Sequence, residues 1–163
     1  EIGGKSAAEP MENIQPVLKH LPRPLLQEHV ASLGQSPSDT ATSHARLARM
    51  LANIKAAHDA GVPIIAGTDE GIPAYSVYRE LELYVKAGFT PMDALRAATA
   101  VAAQAMRVDN DLGTIATGKR ADLLVLDANP LENISNVRTV RFVMKDGRMF
   151  ESAALWTAAG FTP

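Results

Sequence analysis

Gly61-Val62-Pro63-Ile64-Ile65-Ala66-Gly67-Thr68-Asp69 is the stretch on which the reading of this chain turns. Val62, Ile64, Ile65 and Ala66 form an apolar run without alternation, the pattern of a short strand covered on both faces of a parallel sheet. Gly67-Thr68-Asp69 stops the run with a small turn and an acid. In α/β folds the C-terminal ends of strands are where ligands and catalytic groups collect. On this pattern alone Asp69 is equally a site carboxylate or the cap of a turn or of the next helix.

Immediately before the stretch, Leu47, Met50, Leu51, Ile54 and Ala57 share one helical face. Arg46, Arg49, Lys55 and Asp59 lie mostly off that face, and Gly61 is the C-terminal stop. Farther back, Ile14, Val17, Leu18 and Leu21 fit a helix over 13–21. Leu25, Leu26, Val30 and Leu33 fit a second one that opens near Pro24 and ends at Gly34. Residues 1–12 and 36–40 read as loops.

After Asp69, Gly71 and Pro73 mark a loop. Tyr75 to Ala87 reads as a helix through Val77, Leu81, Tyr84 and Val85. Thr90-Pro91-Met92-Asp93 is a helix start, with Thr at the N-cap, Pro at the first position and Asp at the positive end of the dipole. This helix is expected to run through Leu95, Ala98, Ala102 and Met106, with alanines that permit close packing. From about Asp109 the pattern changes to short strands at 112–115, 123–126 and 137–145. Asp146-Gly147 signals a hairpin that returns through Arg148-Met149-Phe150. A last short helix covers 152–159. The expected division is 1–111, mostly helical with one strand at 62–67; 112–151, a small β unit; and 152–163, a terminal helix and tail.

Composition narrows the function. At 163 residues and 47% hydrophobic content the chain buries a real core. Sixteen basic and eighteen acidic residues leave a net charge of −2, which gives no electrostatic case for nucleic acid or an anionic membrane. There is no cysteine, hence no disulfide, thiolate metal site or Cys nucleophile. No apolar run reaches the ~20 residues that span a bilayer. The start, Glu1-Ile2-Gly3-Gly4-Lys5, is polar and lacks both an initiator Met and a signal-peptide pattern. It reads as a processed, truncated or fusion-derived start. The compartment stays open, with the cytoplasm as the working expectation.

Several motifs taken together carry a resemblance. Gly61-Val62-Pro63 to Gly67-Thr68-Asp69, Arg79-Glu80-Leu81, Ala87-Gly88-Phe89-Thr90-Pro91-Met92-Asp93-Ala94-Leu95 and Ala97-Ala98-Thr99 follow one another in order. Gly113-Thr114-Ile115, Gly118-Lys119-Arg120-Ala121-Asp122-Leu123 and Val143-Met144-Lys145-Asp146-Gly147 continue the series. The ordered set, over roughly residues 43–150, resembles the metal-dependent amidohydrolase superfamily, in its imidazolonepropionase and Xaa-Pro dipeptidase (prolidase-like) branch. The resemblance implies an α/β chain: the C-terminal fragment of a (β/α)8 barrel plus a small antiparallel β unit. It makes 62–67 the eighth barrel strand. It makes Asp69 both a metal contact and the proton acceptor for the hydrolytic water.

A complete barrel of this kind takes about 250 residues, and only one barrel strand is placed here. The family's His-x-His pair, its strand-four lysine or acid and its two later histidines have no counterpart. His20, His29, His44 and His58 fall on expected helices or loops and read as surface or packing histidines. The resemblance therefore implies a divalent metal, zinc, in the complete enzyme and none held by this chain alone. It also implies a small-molecule substrate.

The remaining candidates read as structure. Glu70 is a solvated loop acid, while Glu80 either lines the barrel mouth or pairs with a Lys or Arg on its helix. Ser43-His44 lacks a nucleophile turn, and Lys119-Arg120 is a solvated turn. Gly113, Gly118 and Gly147 are turn glycines, and Trp156 and Phe161 anchor the last helix. Three functions follow: the C-terminal part of a hydrolase of non-ester C–N bonds in cyclic amides or dipeptides, inactive when isolated; a non-catalytic, self-associating remnant; or a subunit that completes a split amidohydrolase. The expected partner is accordingly a second copy or a missing N-terminal barrel portion.

Overall fold

Gly61, at φ 77, ends the first long helix in the left-handed conformation that a glycine takes without strain. A computed structural model describes residues 20–24, 27, 40–69 and 75–162. The helices expected at 13–21 and 24–33 and the loop at 70–74 lie mostly or wholly outside the described residues. The chain divides into two units, one of residues 1–48 with 153–163 and the other of residues 49–152.

Helix α1 (Thr40–Asp59) contains the apolar face expected of it. Leu51, Ile54 and Ala57 are half-buried, whereas Met50 is exposed. In the larger unit, α2 (Tyr75–Ala87) buries Tyr75, Leu81 and Tyr84, and Gly88 at φ 107 follows its end. Thr90 caps α3 (Pro91–Ala97): its hydroxyl oxygen accepts from the Asp93 N–H at 3.1 Å, with Pro91 at the first position. Leu81, Tyr84, Phe89, Ala94, Ala97, Ile134 and Val137 form the core, with Ile54, Ile64 and Ala66 packed against it.

The helix expected to run unbroken from Pro91 to Met106 is two helices. α3 stops at Ala97 and α4 covers Ala100–Ala105. Thr99 makes the break, with φ −131 and ψ −91, and its hydroxyl donates to the Leu95 carbonyl at 2.7 Å. A threonine bonding back by four residues competes with the backbone ladder and bends or ends a helix.

Leu112–Ile115 is a turn, where the pattern predicted a strand. The Leu112 N–H donates back to Val108 O at 2.9 Å, and Gly113 sits at φ 87 against α4. The β unit that follows is antiparallel, with β1 (Leu123–Leu126), β2 (Val140–Lys145) and β3 (Arg148–Glu151) in the order β1-β2-β3. Leu124 pairs with Val143 and Val143 with Phe150, and β1 carries an irregularity between Val125 and Leu126. β2 starts later than the predicted Val137, because Ile134–Arg138 is a 3-10 turn that buries Ile134 and Val137. Asp146 and Gly147, both at positive φ (49 and 74), close the β2–β3 hairpin as a type I′ turn. Asp122 reinforces this turn by accepting the Asp146 N–H at 2.9 Å.

In the smaller unit the Thr162 N–H donates to the His20 carbonyl at 3.0 Å. The Trp156 and Phe161 rings meet edge to face at 4.9 Å, with Phe161 buried. Helix α5 (Ser152–Ala158) confirms the last expected helix.

Candidate functional site

The segment from Val62 to Asp69 passes over α2, α3 and α4 without joining any strand ladder among the described residues. The sequence predicted a strand, and the difference has a physical cause. A parallel strand needs a neighbour for its N–H and C=O groups, and these helices supply the partners instead. The Ala66 N–H donates to the Ala97 carbonyl at 3.1 Å, and the Gly67 N–H donates to Glu80 Oε1 at 3.1 Å. The Tyr84 hydroxyl lies 3.3 Å from the Ile65 carbonyl oxygen. Strand-like alternation survives in the side chains from Ile64 onward. Ile64, Ala66 and Thr68 are half-buried, while Val62 and Ile65 are 50% and 43% exposed.

Asp69 stands at the end of this segment, exposed, at φ 42. A left-handed backbone is uncommon outside glycine, and aspartate is among the side chains that tolerate it. Behind the segment, Tyr84 gives its hydroxyl hydrogen to Glu80 Oε1. Burial, followed by the hydrogen bond and charge of Glu80, pushes the Tyr84 hydroxyl well above its ordinary pKa, so it remains a donor at neutral pH. Glu80 Oε2 is shut off from solvent and has no hydrogen-bond partner among the described residues.

The spacing of Glu80 and Tyr84 puts both on one helix face, so their contact was readable in the sequence. That the carboxylate faces the segment rather than a Lys or Arg was not. Nothing local in the sequence signalled a second charged pair. Arg138 donates to both oxygens of Glu82, at 2.8 and 2.9 Å, and stacks over the Tyr75 ring at 4.8 Å. Burial pulls the Glu82 carboxyl upward, but the hydrogen bonds and charge of Arg138, with Ser135 and Arg79, outweigh it and hold the pKa below the usual value.

A groove of about 260 Å³ opens at the other end of the segment, lined by Gly61, Val62, Phe89, Asp93 and Arg96 among others. His58 stacks on Phe89 there, at 3.9 Å between rings, with Nε2 4.0 Å from Asp93 Oδ2. His20 Nδ1 lies 2.6 Å from the Thr162 carbonyl oxygen. Among the described residues no three His, Asp or Glu side chains come together as a metal centre. Asp69 is a single donor, whereas a catalytic zinc takes about three protein ligands. The described residues therefore do not by themselves fit such an ion. No described helix is long and apolar enough to cross a membrane.

Comparison with known proteins gives this geometry a setting. The model of the amidohydrolase family matches residues 14–150. An ochratoxinase of Aspergillus niger is 36% identical over 101 residues, covering 59% of this chain and 21% of that protein. An imidazolonepropionase of Shouchella clausii is 34% identical over 106 residues, 60% of this chain and 24% of that protein. The crystal structure of a Xaa-Pro dipeptidase with methionine bound in its active site superposes with a TM-score of 0.58 at 35% identity, covering 63% of this chain and 25% of that one. The chain thus spans about a quarter of the length of the relatives it matches.

Proposed function

This chain belongs to the amidohydrolase family, and on that premise we propose that it is the C-terminal part of a hydrolase of non-ester C–N bonds. The observation that carries the reading is the match over residues 14–150 to a family whose similar members here are an imidazolonepropionase and a Xaa-Pro dipeptidase. The substrate class that follows is a small cyclic amide or a dipeptide. The fold that follows for the whole enzyme is a barrel, of which Val62–Gly67 would be the last strand.

Asp69 is the catalytic carboxylate the chain contributes. It accepts a proton from the water that attacks the carbonyl carbon. It returns that proton to the nitrogen as the C–N bond breaks, which leaves a carboxylic acid and an amine. Members of the family generally use a divalent metal. The described residues do not hold one by themselves, and the steps assigned to Asp69 are proton transfers only. The exposure of Val62 and Ile65 favours one further reading, in which a separate chain supplies the rest of the barrel.

The test is hydrolysis of a Xaa-Pro dipeptide by the complete enzyme carrying Asp69→Asn. Turnover should fall by at least ~10³-fold with folding retained, because the side-chain volume is kept and the proton acceptor is lost. Near-normal turnover would show that Asp69 is only a turn residue.

A further inference from the structure

We propose that Glu80 is the positioning residue of this site: from α2 it holds the Gly67 N–H and so fixes the turn that presents Asp69. The proposal rests on the reading of Asp69 given above. Its basis is the sequence of tethers along the segment. Ala66 meets Ala97 and Gly67 meets Glu80, each from a helix, while the Ile65 carbonyl lies beside the Tyr84 hydroxyl, whose hydrogen goes to Glu80. The Gly67 bond is the last of these before Asp69. Beyond it the backbone turns into the left-handed conformation at φ 42.

Two further observations separate positioning from packing. Gly67 has open space where a Cβ would stand. The glycine is therefore not held in place by crowding, and the constraint on the turn comes from the hydrogen bond. Burying a carboxylate oxygen without a donor among the described residues, as at Glu80 Oε2, is unfavourable. A leucine of similar volume would fill the same space without that penalty. What leucine cannot do is accept the Gly67 N–H. Tyr84 adds a second donor to the same oxygen and so orients the carboxylate toward the segment.

The experiment is NMR on the isotopically labelled 163-residue chain. In Glu80→Leu the Gly67 amide should exchange at least ~10-fold faster, while α2 and the β1–β3 sheet keep their protection. The strong intraresidue HN–Hα cross-peak that a positive φ gives Asp69 should weaken as the turn relaxes. Glu80→Gln, which keeps an acceptor oxygen, should restore most of both. Unchanged Gly67 exchange and an unchanged Asp69 cross-peak would overturn the proposal, as would equal acceleration across the whole 49–152 unit. If Glu80→Leu does not fold, Glu80→Gln decides: a neutral acceptor should move the Gly67 amide proton upfield, and an unmoved resonance overturns the assignment. These results are independent of the role of Asp69. A fully active Asp69→Asn enzyme would remove the catalytic reading and leave the Gly67–Glu80 bond standing, whereas a Gly67 amide indifferent to Glu80 would remove the latch alone.

Discussion

Arg138 joins α2 to the turn that leads into the sheet, and it does so at the scale of one side chain. Its guanidinium meets Glu82 with two hydrogen bonds and covers Tyr75. Both side chains are largely buried, at 25% and 14% exposure. Removing one member of such a pair leaves a poorly solvated charge. Arg138→Met should lower stability by about 2–3 kcal/mol, read from urea melts at pH 7. The pair also sets an acid limit. Glu82 is held below its usual pKa of 4.5 in the folded state, so its contribution is present above that value. It is lost as the pH falls through 4.5 toward the lower, folded value. The wild-type chain should therefore lose stability on acidification through this range, and the part due to Glu82 should shrink in Arg138→Met, where only Ser135 and Arg79 still favour the carboxylate.

At the scale of elements, helix ends, β1 and the hairpin follow their local signals, whereas the expected strands at 62–67 and 112–115 and the unbroken helix to Met106 do not. Thr90-Pro91 starts α3, and Gly61 and Gly88 follow the ends of α1 and α2. The Asp146-Gly147 hairpin forms because both residues take the positive φ that a type I′ turn requires. Gly113 shows a different case, a turn glycine inside a run that otherwise reads as a strand, with α4 packed against it. A Cβ there would stand 2.5 Å from the Ala103 Cβ, on a backbone at φ 87. Gly113→Ala should cost about 2–3 kcal/mol, the sum of left-handed strain and overpacking against α4. A melting temperature within a degree or two of wild type would show that the turn yields.

At the scale of the molecule, apolar surface is left bare within the 49–152 unit. Val62 and Ile65 are half-exposed along the segment, and Leu124 and Met149 are 57% exposed on the sheet. β1 and β3 each lack a second neighbour among the described strands. Open edges and apolar patches of this kind recruit another chain. We therefore propose that the chain studied alone self-associates. Light scattering at micromolar concentration should give at least a dimer, and Ile65→Lys should shift it toward monomer. A wild-type chain that stays monomeric and melts cooperatively would sink this proposal.

The sequence by itself determined the family, the helices α1, α2 and α5, the start of α3, strand β1 and the β2–β3 hairpin. Each of these rests on signals within a few residues of one another: a cap, a stop glycine, a turn dipeptide, a helical stripe. The motif order from Gly61 to Gly147 adds the rest, because a family match needs no knowledge of contacts. Only the tertiary structure decided what became of Val62–Asp69. An apolar run specifies burial, but a strand exists only where a neighbouring backbone pairs with it. Here the partners are Ala97 and Glu80, brought in from helices later in the chain. The same holds for Glu82 and Arg138, 56 residues apart. Which donor reaches which acceptor across such distances is set by packing, and no local pattern in the sequence encodes it.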